Sequence, residues 1–224
     1  MGAAMSARAI AMLLTGLLLG GCMQGTLEGV SDANFTARDR KLLAAAPYSR
    51  ASIPTQYQKQ VVAFHRQEAP GSIVVDSDAR YLYYVLPNKQ ALRYGVTVGE
   101  QAQAWTGVAK VGRKEEWPGW IPTDGERQRL GPLPARVEGG PHNPMGSRGI
   151  YLYSGNQDTL FRIHGTNQPE YIGQAISSGC IRMTNEDVID LYNKVKMGAI
   201  VVVLGPHQGD SSARIAAAVD PRMN

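Results

Sequence analysis

Cysteine is scarce in this 224-residue chain, which contains only Cys22 and Cys180. Clusters of basic residues are missing as well, because the 23 lysines and arginines are scattered and the formal net charge is only +4. Proteins that follow nucleic acid phosphates usually concentrate such cations on one surface. The sequence therefore argues against nucleic acid as a partner, and its length suits one well-packed domain.

The apolar stretch near the N-terminus is too short to cross a bilayer. It covers residues 9–19 and follows Arg8, which is typical of a secretory signal peptide. The stretch ends in Leu19-Gly20-Gly21-Cys22, which resembles the lipobox of bacterial lipoproteins. We expect a signal peptide over residues 1–21 and a lipid on Cys22, which would make the protein a membrane-anchored lipoprotein of the periplasm. The alternative is a plain signal peptide with an incidental Cys22.

Export makes the second cysteine unusual. Proteins of oxidising compartments normally pair their cysteines or do without them. If Cys22 carries a lipid, Cys180 has no partner within the chain. An unpaired thiol of this kind is either a small buried hydrophobe or a nucleophile.

Short strands dominate the pattern from residue 72 onwards. Segments rich in β-branched and aromatic residues alternate with turn residues, which predicts β-strands. The predicted strands cover residues 72–76, 80–86, 92–99, 151–154, 159–165 and 199–204. The last of them is strongly apolar and is expected to be central in a sheet. The Gly/Pro-rich residues 130–149 predict a long loop at the rim of a functional site.

Two helices are predicted. Residues 55–67 have helical spacing of apolar side chains, which predicts a short lead-in helix within a tether of residues 22–70. His65 is expected there as a partly buried packing residue. After Cys180, Thr184 begins a capping-box pattern ahead of an amphipathic segment, and Gly198 is placed to end that helix. Residues 205–224 are expected to form a loosely attached tail.

The residues around Cys180 suit a nucleophile. Gly179 and Cys180 precede a helix start, so their amides are placed to stabilise a thiolate or an oxyanion. His164 ends a predicted strand and is a candidate general base. The spacing of these residues does not by itself exclude a structural role for both.

A metal site is the less favoured use of the same side chains. His142, His164 and Cys180 are possible ligands by type, but they lack the closely spaced pairs of common zinc motifs. We therefore expect no metal and no cofactor. His142, in the Gly/Pro-rich loop, is expected to make loop hydrogen bonds.

Three short motifs resemble one family. HGTN at residues 164–167, IG at 172–173 and SSGCIRM at 177–183 closely resemble the signature of the L,D-transpeptidase catalytic domain, also called the YkuD or ErfK type. The resemblance extends over roughly residues 72–204, and we place the catalytic domain at 71–204. It implies a mostly β, mixed-strand sandwich or barrel-like domain with one helix packed after the catalytic loop.

The resemblance also implies a reaction. Cys180 would attack the carbonyl that joins the third residue of a peptidoglycan stem peptide to its terminal D-alanine. The thioester would then pass to an amine of a neighbouring stem, which gives a 3-3 cross-link. His164 would be the base, oriented by the Gly165 carbonyl, and the amides of Gly179 and Cys180 would bind the oxyanion. The residues implied to contact substrate are Arg182, Ser178, Ser177, Thr166 and Asn167.

Some readings stay open within this resemblance. Many members have histidine where this chain has Ser178, so His164 is expected to act without a second imidazole. Arg182 either holds a substrate carboxylate or forms a structural ion pair with Glu186. The same cysteine also suits an L,D-carboxypeptidase, a hydrolase or a lipoprotein-to-peptidoglycan ligase. A non-catalytic wall-binding lipoprotein is the alternative of a different class, and we expect a monomer.

Overall fold

The computed structural model describes residues 34–48, 51–100, 105–177 and 179–209. The predicted signal peptide, Cys22, Ser178 and most of the predicted tail lie outside these residues. In the part of the chain that is described, no helix combines the length and the apolar character that crossing a membrane requires.

Strands outnumber helices in the described structure, as the sequence predicts. The strands are β1 Gln60–Ala63, β2 Ile73–Asp76, β3 Tyr81–Leu86, β4 Gln90–Gly95, β5 Val98–Gly99, β6 Gly107–Glu116, β7 Arg148–Ser154, β8 Gln157–His164, β9 Ala175–Ser177, β10 Ile181–Arg182 and β11 Ile200–Val203. The helices are α1 Ala37–Ala44, α2 Asp124–Leu130 and α3 Asn185–Lys194. Helix α2 was not predicted, since its short polar sequence carries no apolar periodicity.

Nine of these strands form one mixed sheet in the order β1-β4-β3-β2-β11-β6-β7-β8-β10, while β5 pairs with β9. Strand β11 runs parallel to β2 and β10 runs parallel to β8, and the other neighbours in the large sheet are antiparallel. Thr97, just before β5, exchanges two 2.8 Å main-chain hydrogen bonds with Arg182 on β10. These bonds hold the chain that follows β4 against the far edge of the sheet. The predicted mostly β, mixed sandwich or barrel-like fold is confirmed.

Side chains of the central strands alternate between two cores. In β2, Ile73 and Val75 are buried in the larger core, and Val74 between them is buried in the smaller one. Because successive side chains point to opposite faces, a strand covered on both faces can be apolar at every position. Strand β11 is apolar at every position and lies between β2 and β6, so its predicted central place in the sheet is confirmed.

Helix α3 follows the predicted catalytic loop directly. Thr184 caps it by accepting a 3.1 Å hydrogen bond from the Asp187 amide. Its apolar face packs into the larger core through Val188 and Leu191, and Val195, directly after the helix, is buried in the same core. The predicted helix after the loop is therefore confirmed. It ends at Lys194, earlier than expected, and Gly198 lies in the following turn.

The predicted helix over residues 55–67 is wrong. That segment forms a 3-10 turn at Thr55–Tyr57 and then strand β1. Val61 pairs with Leu92 across β1 and β4, so sheet hydrogen bonding outweighs the helical spacing of the side chains. His65 lies beyond the strand and is exposed, so its expected partial burial is also wrong.

The segment 34–48 is packed on the domain, although the sequence predicts that residues 22–70 form mainly a tether. Thr36 and Asp39 form a capping box at the start of α1. The Asp39 carboxylate also accepts hydrogen bonds from both terminal nitrogens of Arg148, at 2.9 and 2.7 Å, and from Trp117 Nε1 at 2.8 Å. Asp39 and Arg148 are 0% and 1% exposed. A buried bidentate ion pair therefore joins this segment to the sheet.

Asp39→Ala is expected to destabilise the fold by about 3–5 kcal/mol, because it leaves the Arg148 guanidinium buried without a counter-charge. Burial alone would raise the pKa of Asp39, but hydrogen bonds from Arg148, Thr36 and Trp117 hold it well below its ordinary value. This stabilisation is present above the unfolded-state pKa of about 4 and is lost as the pH falls through the folded-state pKa. Urea unfolding at neutral and acid pH measures both effects.

The matched control is Glu138→Ala, which breaks the exposed ion pair between Arg136 and Glu138. This change is expected to cost less than about 1 kcal/mol. If the Asp39 variant loses no more stability than this control, the buried pair does not have the structural role assigned to it.

Candidate active site

The parallel pairing of β10 with β8 builds the centre of the site. Arg182 lies opposite His164, and Ile181 lies opposite Ile163. Cys180 precedes this pairing and so lies beside Arg162. Because alternate residues share a face, Cys180, His164 and Arg182 lie on the face that lines the cleft, while Ile181 and Ile163 lie in the larger core. Register thus brings together the thiol, the imidazole and the guanidinium that the sequence motifs singled out.

The turn before Cys180 is held by its own hydrogen bonds. The Ser177 hydroxyl donates to the Cys180 carbonyl at 2.6 Å and accepts from the Gly179 amide at 3.2 Å. Gly179 has a φ of 122°, which a residue with a side chain rarely adopts. A Cβ on Gly99 would lie 2.7 Å from the Gly179 Cα, so a second glycine allows β5 to approach the turn. The Gly179 amide, predicted to bind an oxyanion, is engaged with Ser177 in this structure.

The imidazole of His164 is held in one tautomer. Its Nδ1 lies 2.6 Å from the Gly165 carbonyl oxygen. Since a carbonyl oxygen only accepts, Nδ1 carries the hydrogen and Nε2 is left as the acceptor. Gly165 is the residue whose carbonyl is expected from the sequence to orient the imidazole. A Cβ on Gly165 would collide with Asn185 Oδ1, so the close approach of Asn185 to residue 165 requires glycine there.

Asn185 is a residue that the sequence analysis missed. Its Nδ2 donates to the Thr166 carbonyl at 2.8 Å and to the Tyr48 hydroxyl at 2.6 Å, and its Oδ1 accepts from the Ser147 amide at 2.7 Å. It therefore joins helix α3, the loop after His164 and the segment 34–48. The available signal was a polar residue directly after a helix cap, but nothing in the sequence identified its partners.

Burial keeps both reactive groups neutral. It raises the pKa of the Cys180 thiol above its ordinary value of 9.0, although the Arg162 amide and the Arg162 and Arg182 charges oppose this. Burial, followed by the positive charge of Arg182, lowers the pKa of His164 to about 3. At neutral pH the resting pair is therefore a thiol and an uncharged imidazole.

A cleft of about 380 Å³ opens over this pair. Its wall opposite the sheet comes from the segment between β6 and β7, which includes α2 and part of the predicted rim loop. Residues of the wall are Gly119, Trp120, Ile121, Thr123, Glu126, Pro144 and Met145. The sheet supplies Arg113, Tyr151, Leu160, Arg162, His164, Cys180 and Arg182. The predicted placement of the Gly/Pro-rich loop at the rim agrees with Pro144 and Met145.

The other predicted substrate contacts are less directly placed. Thr166 and Ser177 are 2% and 1% exposed and make their hydrogen bonds inside the protein. Asn167 donates from Nδ2 to the His142 carbonyl at 3.0 Å, and the His142 side chain is exposed. Arg182 lines the cleft while its main chain is bonded to Thr97. Thr166 and Ser177 thus shape the site rather than face the cleft.

No metal site emerges from the described residues. Among them, no group of three or more His, Cys, Asp or Glu side chains is placed to hold an ion. His142, His164 and Cys180 form no such group.

The domain is mostly β and has a cysteine directly before one strand and a histidine at the end of the neighbouring strand, both in one cleft. The family of the L,D-transpeptidase catalytic domain, YkuD, matches residues 70–203. This match covers more than half of the chain, so the chain belongs to that family.

One curated relative and two solved structures are among the proteins that are similar to this chain. The probable L,D-transpeptidase ErfK/SrfK of Escherichia coli K12 is 36% identical over 141 residues, which are 59% of this chain and 43% of that protein. A solved structure described as a probable carnitine operon oxidoreductase from Brucella melitensis is 46% identical, covering 70% of this chain and 98% of that one, with a TM-score of 0.46. The solved Ldtfm-avibactam carbamoyl enzyme is 25% identical, covering 62% and 51%, with a TM-score of 0.48.

The pH dependence of Cys180 alkylation tests the neutral resting pair. With the thiol pKa raised above 9.0, the rate with iodoacetamide is expected to keep rising beyond pH 9. Because the His164 pKa is lowered to about 3, no inflection is expected between pH 5 and 8. A plateau reached below pH 7 would instead indicate a thiolate–imidazolium pair. Arg182→Gln is the comparison variant and should raise both pKa values, since the Arg182 charge lowers each of them.

Proposed function

We propose that this protein is a cysteine-dependent peptidoglycan L,D-transpeptidase that forms 3-3 cross-links through a thioester and releases D-alanine. The observation that carries the proposal most directly is that Cys180 and His164 line the same cleft. In that cleft the contact of His164 Nδ1 with the Gly165 carbonyl places the hydrogen on Nδ1, so Nε2 is the nitrogen that can accept a proton. Family membership supports acyl transfer as the reaction type. The 3-3 linkage is the outcome expected when the acceptor is the side-chain amine of a second stem peptide.

The first half of the reaction makes the thioester. His164 Nε2 takes the proton of the Cys180 thiol while the sulfur attacks the carbonyl of the third stem residue. The main-chain amide of Cys180 stabilises the oxyanion, and the Gly179 amide joins it if it leaves the Ser177 hydroxyl. Collapse of this intermediate breaks the bond to D-alanine, whose amine takes the proton from His164.

The second half transfers the acyl group. An acceptor amine gives a proton to His164 as its nitrogen attacks the thioester carbonyl. Collapse expels the Cys180 sulfur, which recovers the proton from His164, so the enzyme returns to its starting state. Water in place of the amine would give hydrolysis by the same steps.

Substrate binding is expected to activate the base. The Arg182 charge is one cause of the lowered pKa of His164. A substrate carboxylate bound to Arg182 would offset that charge and raise the pKa of the imidazole towards a value that accepts the thiol proton more readily. Arg182 thus couples carboxylate recognition to proton transfer. Stem peptides, which carry free carboxyl groups, fit this requirement.

We infer that the enzyme acts as a periplasmic lipoprotein, with residues 1–21 removed and Cys22 lipidated. The sequence Leu19-Gly20-Gly21-Cys22 supports this proposal. An anchor in the membrane would hold the catalytic domain near the peptidoglycan, and the packed segment 34–48 would connect the anchor to the domain.

The decisive experiment incubates purified protein with disaccharide-tetrapeptide muropeptides and analyses products and protein by mass spectrometry. A dimer with the mass of two tetrapeptides less one D-alanine is expected, together with an acyl adduct on Cys180. Cys180→Ala should abolish the dimer and leave the fold nearly intact, because a thiol is replaced by a methyl group. Cys22→Ser removes the other cysteine and should leave turnover in solution unchanged.

Each other outcome has a defined meaning. Tripeptide monomers without a dimer would replace transpeptidation by carboxypeptidase activity or another acceptor. A dimer that persists in Cys180→Ala would exclude Cys180 as the nucleophile. Neither product nor adduct, and no acylation of Cys180 by a carbapenem, would favour a non-catalytic wall-binding protein.

Cys22→Ser also tests the anchor in cells. Loss of the lipidated thiol is expected to move the protein from the membrane fraction to the soluble periplasmic fraction, because the acyl chains supply the attachment. Cys180→Ala should stay with the membranes. Unchanged membrane fractionation of Cys22→Ser would exclude the lipoprotein assignment.

A further inference from the structure

Four neighbouring strands place a row of residues across the floor of the cleft. Arg113 on β6 pairs with Tyr151 on β7, and Tyr151 pairs with Arg162 on β8. Cys180 lies directly before β10 and beside Arg162, as the next register pair, Ile181 with Ile163, requires. All four row residues line the cleft. At about 4.8 Å per strand, the row extends about 14 Å from the nucleophile to Arg113.

The ring of Tyr151 holds the two arginines of this row. The Arg113 guanidinium carbon lies 3.5 Å from the ring centroid, and that of Arg162 lies 4.5 Å from it. Tyr151 is buried, and its hydroxyl donates to Glu115 at 2.9 Å. Cation–π contacts of this kind fix planar guanidinium groups in defined positions.

The two guanidinium groups differ in what they offer to a ligand. Arg162 is 13% exposed, and its terminal nitrogens bind both oxygens of Asp158 at 2.6 and 2.8 Å. The Arg113 side chain is 50% exposed, and among the described residues its guanidinium makes one hydrogen bond, from Nη1 to Glu115 at 2.7 Å. Arg113 therefore retains donors for a ligand in the cleft, and Arg162 has its terminal donors engaged.

We propose that Arg113, held on Tyr151, is a second carboxylate-binding residue of this cleft, separate from Arg182. It binds a free carboxylate of the donor stem peptide, on the amino-terminal side of the carbonyl that Cys180 attacks. The distance of about 14 Å between Cys180 and Arg113 corresponds to about four residues of extended peptide. The length of the Arg113 side chain reduces the part of this distance that the peptide has to span. Arg182, directly beside His164, would bind the carboxylate nearest the reacting bond. This inference rests on the proposed transpeptidase function and names a determinant of its substrate specificity.

A matched pair of synthetic stem tetrapeptides tests the proposal. In one the free carboxyl group on the amino-terminal side of the third residue is intact, and in the other it is amidated. The wild-type protein is expected to prefer the intact peptide, and Arg113→Gln should lower kcat/KM for it about 10- to 100-fold, mainly through KM, as for a lost charge-assisted hydrogen bond. The amidated peptide should be turned over equally by both proteins.

Three controls distinguish loss of carboxylate recognition by Arg113 from structural damage to the active site. Arg113→Lys keeps the charge and should retain part of the preference, because a lysine cannot form the bidentate contact. Alkylation of Cys180 by neutral iodoacetamide should proceed at the wild-type rate in both variants. Arg66→Gln removes an arginine that forms an ion pair with Glu68 away from the cleft, and it should preserve the preference.

Equal loss of activity on both peptides, or no loss on either, would overturn the role of Arg113. These results are distinct from failure of the proposed function, in which the wild-type protein would give neither an acyl adduct nor a product with either peptide.

Discussion

The pairing of two residues of β10 with the end of β8 is the constraint on which the site depends. It sets Arg182 beside His164 and Cys180 beside Arg162. A slip of one residue would send the thiol towards the core and bring Ile181 to the surface, because side chains alternate between faces. The two hydrogen bonds between Thr97 and Arg182 hold β10 from its other side. A strand of two residues is thereby fixed in register.

Packing outside the matched family region supports this arrangement. Residues 34–48 lie before the match, yet Asp39 of that segment forms the buried ion pair with Arg148. Arg148 begins β7, and the Gly165 amide donates to its carbonyl at 3.1 Å. Tyr48 reaches the same region through Asn185. The segment that would lead from the anchor is thus part of the scaffold that positions His164.

The electrostatics of the cleft combine burial with fixed positive charge. Burial makes both the thiolate and the imidazolium costly, so the resting pair is neutral. The charges of Arg162 and Arg182 favour the thiolate and disfavour the imidazolium, so these two effects offset each other in proton transfer from Cys180 to His164. An anionic substrate would resolve this conflict, because it would offset the charge near His164 as it binds. The site is therefore suited to substrates that carry carboxylates.

The sequence alone determined the parts that depend on local pattern: the six predicted strand segments, helix α3, and the motif around His164 and Cys180. Alternating apolar residues and a helix cap act over a few positions, so they can be read directly from the chain. Tertiary structure decided the rest. Residues 55–67 became a turn and a strand because β4 supplies hydrogen bonds that a local helix could not match. The roles of Asp39, Asn185 and Arg113 depend on partners 19 or more positions away, which only the sheet register and packing bring into contact.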